Sequence, residues 1–393
     1  MKRMLRSCPI MKNPFLSSLG VSFAALALTS LISAQDKPFT PSKEALERAK
    51  GSAAKTAHPG GFNKPQAPAN LPGKGLKQHD FFVSGVQSQR DKKGIVMVKN
   101  GQVVWNYFNP EIRGNYYDGT MLPNGNLLLG HAHGVKIISP DKKIVWRYDV
   151  KPPARGPSES RDEGHEIDGV QPVGKDRVVF LRNGDPAAHI VVANITTGKI
   201  EKEVEIPVAK TANKSEARSV HMQMRRMRLT PQGTALVAYT NADKVAEYDE
   251  HGKETWFAMV PRPWSVERLK NGNTLVTSMR IDIGTIELDP QGKTVWQMNQ
   301  KEIEAQGYLI DKMQSSTRLA NGNTLITVNN ETAWVPGDTP DGELWAPVQA
   351  IEVTPARQIV WALRDWTNFD VVSTFQTLDD PRIKEPLHFD SFR

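Results

Sequence analysis

The alternation of apolar and polar positions repeats along residues 79–380 and predicts β-hairpins. One half of the repeat is an apolar run, a tight turn centred on Asn-Gly and a second apolar run. Asn-Gly between alternating apolar runs is a strong hairpin signal, because the central residues of the turn need positive φ. The copies are MLPNGNLLLG at 121–130, RLKNGNTLVTS at 268–278 and RLANGNTLITV at 318–328, with weaker ones at 170–181 and 229–239.

The other half of the repeat is a second hairpin whose last strand carries a tryptophan. Six copies begin at residues 96, 137, 192, 246, 286 and 351. The copy at 192 has Lys202 where the others have Trp105, Trp146, Trp256, Trp296 and Trp361. Periodic aromatic residues of this kind space the blades of a propeller, so we predict that they pack between neighbouring blades.

Two half-repeats make four antiparallel strands, and six such units are present. Only five first halves are complete, so the sixth is shared between the two ends of the chain. Residues 371–380 supply its inner strand and residues 80–88 its second strand. We therefore predict an all-β fold, a six-bladed β-propeller of four-stranded antiparallel blades in which N- and C-terminal strands share one blade.

The N-terminal region has a different composition. Lys2, Arg3 and Arg6 precede an apolar run that ends near Ala34, which is typical of a secretory signal peptide over residues 1–34. Residues 35–76 are rich in Pro, Gly, Lys and Ala and read as a flexible linker, followed by a single propeller domain over 77–393. We expect a periplasmic or secreted protein with no membrane anchor after cleavage.

Charge and cysteine content narrow the class of partner. The net charge is +7, but four basic residues and no acidic ones lie in 1–34, so the mature chain carries about +3. It has no basic stripe with interleaved aromatics, which argues against nucleic acid. The single cysteine, Cys8, lies in the signal segment, so no disulfide or thiolate metal site is expected. A monomer is the expected state, and the sequence leaves the cofactor unknown.

Candidate functional residues lie where the inner strands enter the ring, because side chains of all blades converge there. His165, His221 and Arg225 are the candidate catalytic residues. His221, Gln223 and Arg225 alternate, so on a strand they would share one face. The candidate ligand-binding residues are Asp118, Asp168, Gln223, Arg262, Trp264 and Gln314.

Two other segments carry residues that suit a metal or ligand site. His131 and His133 would share a strand face and suit a divalent metal, yet no carboxylate lies near them in sequence, so we predict no metal site. The insertion at 329–350, with Trp334 and Trp345, is predicted to form a wall or lid, since long loops on a rigid scaffold often do.

The pattern LxNGNTL followed by E(L/V)xPxGKxVW resembles the bacterial PQQ-like-repeat and arylsulfotransferase-like six-bladed propellers over nearly all of residues 79–380. In the arylsulfotransferases a central histidine takes the sulfuryl group, and other histidines and arginines hold the sulfate. The resemblance therefore implies such roles for His165, His221 and Arg225. It does not imply binding of PQQ, because the quinoprotein dehydrogenases that use it are eight-bladed.

Two functional hypotheses follow. The first is a propeller that binds an oligosaccharide or other anionic small molecule at the axial face, with Trp264, Trp334 or Trp345 stacking on sugar rings. The second is an enzyme, with sulfuryl transfer or β-elimination on a uronic polysaccharide as its chemistry. An assembly partner without a small-molecule site is a third possibility. An enzyme requires at least two of the polar candidates within hydrogen-bonding distance in one cleft.

Overall fold

The predicted hairpins form 24 strands, and these make six four-stranded antiparallel sheets in the computed structural model. The structure describes residues 71–88, 93–108, 116–131, 134–150, 165–184, 187–208, 220–308, 310, 312–329, 348–365, 368–369 and 371–379. The predicted signal segment 1–34, the predicted linker as far as residue 70, His133, Trp334 and Trp345 lie outside the described residues.

In chain order the strands are β1 Phe81–Ser88, β2 Lys93–Lys99, β3 Gln102–Tyr107, β4 Tyr116–Met121, β5 Leu127–His131, β6 Gly134–Ile138, β7 Ile144–Asp149, β8 His165–Val173, β9 Arg177–Gly184, β10 Ala188–Asn194, β11 Ile200–Ile206, β12 Met227–Leu229, β13 Ala235–Tyr239, β14 Lys244–Tyr248, β15 Glu254–Met259, β16 Pro263–Arg268, β17 Thr274–Ser278, β18 Thr285–Leu288, β19 Thr294–Met298, β20 Lys312–Arg318, β21 Thr324–Asn329, β22 Ala350–Val353, β23 Ile359–Leu363 and β24 Val372–Thr377. Two short helices are described, α1 Val220–Gln223 and α2 Gln300–Glu304, with 3-10 turns at Gly75–Lys77 and Thr240–Ala242. Within the described ranges, no helix is long and apolar enough to cross a membrane.

The first sheet joins the two ends of the fold. Its order is β24-β1-β2-β3, with Phe81 opposite Thr377 and Val83 opposite Phe375. We call this sheet blade 1; blades 2 to 6 are the successive four-strand sets β4–β7, β8–β11, β12–β15, β16–β19 and β20–β23. The inner strands β24, β4, β8, β12, β16 and β20 contact one another in a closed ring. The predicted six-bladed propeller and its shared blade are therefore confirmed.

The hydrophobic core lies between adjacent blades, as the sandwich-like packing of neighbouring sheets requires. One cluster, for example, joins residues of blades 3 and 4, including Val192 and Val237. The repeated tryptophans also bridge blades, since the Trp105 indole N–H donates to the Pro140 carbonyl at 2.8 Å. The same bond links Trp256 to Pro290, Trp296 to Pro355 and Trp361 to Gly75, each at 2.9 Å. The structural role predicted for these tryptophans is confirmed.

Packing of the propeller begins before residue 77, the expected start of the domain. Leu71 and Leu76 pack on the hydrophobic clusters of the last blade and the closing blade. The Ala362 N–H donates to the Pro72 carbonyl at 3.3 Å, and Trp361 lies against Gly73. The end of the segment expected to be linker is thus held against blade 6.

Candidate functional site

The inner strand of every blade is irregular at the same level of the ring. In β4, for example, Tyr116 and Asp118 are paired with consecutive residues of β5, which leaves Tyr117 as an extra residue. Such β-bulges re-aim side chains and often occur beside functional sites. The residues at these irregular positions are Ser373, Tyr117, Asp168 with Gly169, Arg225 with Arg226, Trp264 and Gln314.

Arg225 shows that these positions meet at the axis. Its guanidinium carbon lies 4.7 Å from the centre of the Tyr117 ring and 4.1 Å from that of the Trp264 ring. Tyr117 belongs to blade 2 and Trp264 to blade 5, which are on opposite sides of a six-membered ring. Arg225 itself comes from blade 4. The cation–π contacts therefore hold one side chain across the axial channel.

Two further arginines from blade 4 cross the ring beside Arg225. Arg226 donates through Nη2 to the Tyr117 carbonyl and to Thr374 Oγ1, both at 2.9 Å. Arg228 donates two hydrogen bonds to the Asp118 carboxylate, one of them at 2.8 Å. These bonds join blades 1, 2 and 4 and fill the channel below Arg225.

Asp118 was predicted to bind a ligand, but the structure encloses it completely. Its carboxylate also accepts a hydrogen bond from the Val170 N–H of blade 3 at 2.9 Å. Burial alone would raise the pKa of Asp118; the charges of Arg228 and Arg226 outweigh burial and lower the pKa below its ordinary value. Asp118 is therefore placed as an internal counterion of the arginines and does not reach solvent, whereas the sequence led us to expect a ligand-binding role.

His221 lies on helix α1 at the mouth of the channel, above Arg225. Its side chain is 41% exposed, and its Nδ1 lies 2.9 Å from Oε2 of Glu166, whose side chain is only 2% exposed. An ionised carboxylate only accepts, so donation to Glu166 requires the proton of a neutral imidazole on Nδ1, whereas Arg225 Nη1, 3.1 Å from the same nitrogen, is itself a donor. With the proton on Nδ1, the lone pair resides on Nε2, as in histidines that act as bases.

Arg225 fixes this histidine rather than facing solvent. Its Nη1 donates to the His221 carbonyl at 3.0 Å and lies 3.4 Å from Oδ1 of Asp168. It also lies 3.8 Å from Oε2 of Glu166. The side chain is 4% exposed and is already paired with these groups. Arg225 is therefore enclosed and paired inside the protein, whereas the sequence led us to expect a direct catalytic role.

Asp168 is enclosed next to Glu166 and Arg225. Burial raises its pKa well above the ordinary value; the Arg225 charge acts in the opposite direction, and the negative charge of Glu166 adds to the rise. A raised pKa favours the protonated, uncharged carboxyl. The Arg225 guanidinium then has Glu166 as its charged partner. Asp168 is thus buried beneath the site, whereas the sequence led us to expect a ligand-binding role.

The backbone at 220–226 differs from the predicted strand. Residues 220–223 form α1, and β12 begins only at Met227, so His221, Gln223 and Arg225 do not alternate on one strand face. His221 and Arg225 instead lie one helical turn apart and are linked by the hydrogen bond to the His221 carbonyl. Gln223 lies between these two residues in the sequence and is buried. Its Nε2 makes no hydrogen bond within the described structure.

The remaining candidates have separate environments. His165 begins β8 opposite Gly184, and its pKa is lowered by burial and by the charges of Arg182 and His189, which places it in a different cluster from His221. Arg262 lies in the turn before β16 with φ of 48°. Its backbone N–H donates to Asp243 Oδ1 at 2.8 Å.

Trp264 is partly exposed beneath Arg225, and Gln314 is buried at the irregular position of β20. His131 is buried at the end of β5 and meets the Tyr116 ring edge-on at 6.2 Å. In the part of the chain that the structure describes, no three His, Cys, Asp or Glu residues are grouped to hold a metal ion. The structure thus brings together His221, Arg225, Asp168 and Trp264 from the predicted set.

Sequence reasoning assigned no role to three residues of this cluster. Glu166 orients His221, Tyr117 lies under Arg225 with its hydroxyl 3.4 Å from His221 Nδ1, and Arg228 binds Asp118. One signal was present in the sequence RRMR. Three arginines within four residues, at the entrance of an inner strand, need buried carboxylates as partners, and HEID supplies two of them.

Comparisons with known proteins agree on the fold. No protein-family model matches the chain, and no curated protein matches its sequence. A Bacteroides caccae protein of unknown function has a similar structure, with a TM-score of 0.58 and 19% identity over 76% of this chain and 98% of that one. A Lactobacillus plantarum protein aligns with a TM-score of 0.47, at 10% identity over 77% and 100% of the two chains. A catalytically inactive virginiamycin B lyase from Staphylococcus aureus with quinupristin has a TM-score of 0.45, at 12% identity over 76% and 90%. The first likeness shows a shared propeller fold.

Proposed function

We propose that the axial mouth is the active site of an enzyme in which His221 is the general base. The observation that carries the proposal is the hydrogen bond between His221 Nδ1 and the buried Glu166 carboxylate at 2.9 Å, with the imidazole 41% exposed. A buried acid that orients an exposed imidazole leaves Nε2 as a proton acceptor. A histidine with only a packing role does not need this partner.

The contacts around His221 favour catalysis over passive binding. His221, Arg225 and Asp168 lie in one cluster with separations of 3.1 Å and 3.4 Å between successive polar atoms. These distances satisfy one part of the condition for an enzyme, namely two or more polar candidates within hydrogen-bonding reach, although Arg225 and Asp168 are themselves buried. The charge of Arg225 is balanced inside the protein, so the cluster is rigid before any ligand enters.

The reaction class that this cluster supports is proton abstraction. Nε2 of His221 takes a proton from a substrate carbon next to a carboxylate or other carbonyl group, and the electron pair of that bond forms a new double bond as the leaving group departs. We therefore favour β-elimination on an acidic saccharide over sulfuryl transfer. Sulfuryl transfer needs a histidine nucleophile together with cationic groups that hold the sulfate, whereas Arg225 is enclosed and paired; in the elimination, a residue other than Arg225 must neutralise the substrate carboxylate. The resemblance to the arylsulfotransferase-like propellers contributes the fold to this proposal and not the reaction.

The test is a screen of the purified protein against acidic polysaccharides and aryl sulfates, with release of unsaturated products followed by ultraviolet absorbance. His221→Ala should lower the rate by about 10²–10⁴-fold, the contribution of a positioned general base. Glu166→Gln should lower kcat with little change in KM, because it removes the orienting carboxylate. His251→Ala, at an imidazole that is 80% exposed elsewhere on the ring, is the matched control. Full activity in His221→Ala would refute the assignment.

A second candidate function is saccharide binding without turnover, and the position of Trp264 favours it. Its ring is partly exposed at the same mouth, and sugar rings stack on such indoles. In this case Trp264→Ala would abolish binding to an oligosaccharide array, while His221→Ala would bind normally and no product would form.

We further propose that the chain is exported, on the strength of the signal-like segment 1–34. Cell fractionation and N-terminal sequencing of the mature protein test this. A protein that retains Met1 and remains in the cytoplasm would contradict it.

A further inference from the structure

Neighbouring blades are joined by a repeated set of three side chains. Between blades 4 and 5, Arg268 of β16 forms an ion pair with Glu247 of β14. The guanidinium of Arg268 lies 4.7 Å from the ring centre of Trp256 on β15. We call this set of a glutamate, a cation and a tryptophan a blade joint.

The next blade joint has the same chemistry. Between blades 5 and 6, Arg318 of β20 lies 2.6 Å from Glu287 of β18. Its guanidinium lies 6.0 Å from the ring centre of Trp296. In both joints the cation is an arginine, which stays charged at any pH that proteins experience.

The blade joint that closes the ring uses a histidine instead. Between blades 6 and 1, His79 Nε2 lies 2.9 Å from Oε2 of Glu352 on β22. The imidazole meets the Trp361 ring of β23 edge-on, at 5.6 Å between ring centres. His79, which precedes β1 and is not part of an inner strand, therefore makes with a glutamate and a tryptophan the contacts that arginine makes in the other two joints. Its charge, unlike theirs, changes near neutral pH.

The same histidine also spans a gap in the chain. In the other blades a turn connects the two innermost strands, whereas β24 and β1 come from opposite ends of the fold. The Leu378 N–H donates to the Asp80 carbonyl at 2.6 Å across this gap. His79 Nδ1 lies 3.3 Å from Oδ2 of Asp379, the residue after Leu378. One imidazole thus contacts both the neighbouring blade and the closing strand.

The two contacts require two protons on the ring. A neutral imidazole carries one N–H, and an ionised carboxylate only accepts. Facing Glu352 and Asp379, neutral His79 can donate to only one of them, whereas the imidazolium donates to both. Glu352 is fixed in place by Asn321 Nδ2 at 3.0 Å and Asn323 Nδ2 at 2.7 Å, and Gln78 Nε2 also donates to it at 3.3 Å.

We propose that the closing joint is a pH-sensitive latch in which protonated His79 holds the first and last blades together. The titratable groups that face it are Glu352 from β22 and Asp379 after β24, while Trp361 is the contact from β23. All the groups of the latch lie away from His221 and its cluster. The proposal is therefore independent of the proposed enzymatic function.

The direction of the pH effect follows from both partners. Burial acts to lower the pKa of His79, but hydrogen bonding and charge from Glu352 and Asp379 raise it above 6.5. The stability that protonated His79 contributes is complete below 6.5 and is lost as the pH rises through the raised value. Burial opposes ionisation of Glu352, but bonding to His79 and the two asparagines lowers its pKa to about 2. Its contribution is present above 4.5 and is lost toward pH 2, so the latch is strongest between 4.5 and 6.5.

The test is amide hydrogen exchange of the full chain, followed by mass spectrometry at about pH 5.5 and about pH 8.5 and corrected for intrinsic rates. Peptides covering β24 and β1 should lose protection by about tenfold at the higher pH, the equivalent of one charge-assisted hydrogen bond. Peptides covering β16 and β17, next to an arginine joint, serve as the internal reference and should not change.

Two variants separate charge from simple packing. His79→Arg copies the other joints and should keep β24 and β1 protected at both pH values. His79→Gln should show the lower protection at both. His251→Gln, at an exposed histidine, should behave as the wild type. Equal protection at both pH values in the wild type, or an undiminished pH effect in His79→Arg, would overturn the proposal.

Discussion

Replacing Asp118 with asparagine tests whether this residue is a counterion or a ligand-binding group. Asparagine has nearly the same shape but no charge. Asp118→Asn would leave Arg226 and Arg228 buried next to a neutral amide, while the hydrogen bond from the Val170 N–H, 2.9 Å long in the native protein, is preserved. The change therefore isolates the charge of one carboxylate at the centre of the ring.

The expected cost is large because the pair is enclosed. Asp118 is inaccessible to solvent, and it faces Arg228 through two hydrogen bonds and Arg226 at 3.8 Å. Removing one partner of a buried ion pair costs about 3–5 kcal/mol, mostly because the remaining charge has no compensation. Against a total stability of about 5–15 kcal/mol for a domain, this is a major loss.

Denaturant unfolding at neutral pH, followed by tryptophan fluorescence, measures the effect. The matched control is Asp282→Asn, which removes a carboxylate that Arg280 binds at 2.7 Å on the surface and should leave the midpoint unchanged. The pKa of Asp118 is lowered in the folded state, so its contribution is present above its ordinary pKa of 3.8 and is lost as the pH falls below that. The wild type should therefore approach the variant in strongly acid solution.

One result would refute the counterion role. If Asp118→Asn is as stable as Asp282→Asn but no longer binds a ligand that the wild type binds, Asp118 belongs to the binding site after all. A loss of stability that is the same at every pH would show instead that shape, not charge, is what the position requires.

Two further predictions concern contacts between blades. Trp361→Phe should lower the free energy of unfolding by about 1–3 kcal/mol, because it empties part of a buried site and removes the hydrogen bond to the Gly75 carbonyl; Trp296→Phe, whose hydrogen bond is exposed, should lose less in the same assay. Gly169→Ala should destabilise strongly, because a Cβ at φ of +95° would lie 2.7 Å from backbone of the next blade. Gly174→Ala, also at positive φ but with nothing within 4 Å, should cost only about 1–2 kcal/mol, and equal losses in the two alanine variants would contradict this account.

The sequence predicted the fold well because the residues that mark each repeat also define its local turns. Asn-Gly turns and the regular tryptophans mark hairpins one by one, and the unpaired strands at 80–88 and 371–380 predict how the ring closes. Each of these signals depends on residues that are close in sequence, so each can be read without knowledge of tertiary contacts.

The candidate site was predicted less well because its geometry depends on contacts between distant blades. The alternation of His221, Gln223 and Arg225 suggested a strand, whereas this segment begins with a helical turn and pairs irregularly with Ala238. His221 and Arg225 also differ in exposure, although residues on one strand face were expected to be exposed alike. His221 remains accessible, while Arg225 is enclosed between rings of blades 2 and 5.

The sequence pattern did not reveal which charged side chains are buried. Asp118 and Asp168 have the residue type of ligand-binding groups, and only the facing arginines of blade 4 show that they are internal partners. The three arginines in RRMR are the one local feature from which this network was predictable, since a cluster of cations at the axis of a closed ring must be compensated by acids from other blades.

The shared blade imposes an order on biogenesis. Blade 1 has only β1, β2 and β3 until β24 is made, and β24 lies near the C-terminal end of the chain. A nascent polypeptide that leaves a ribosome or a translocation pore from its N-terminus therefore has an open edge on β1 throughout synthesis of the other five blades. Closure of the ring is therefore the final folding step. A chain truncated before Val372 lacks β24, the strand that completes blade 1, although the other five sheets are intact.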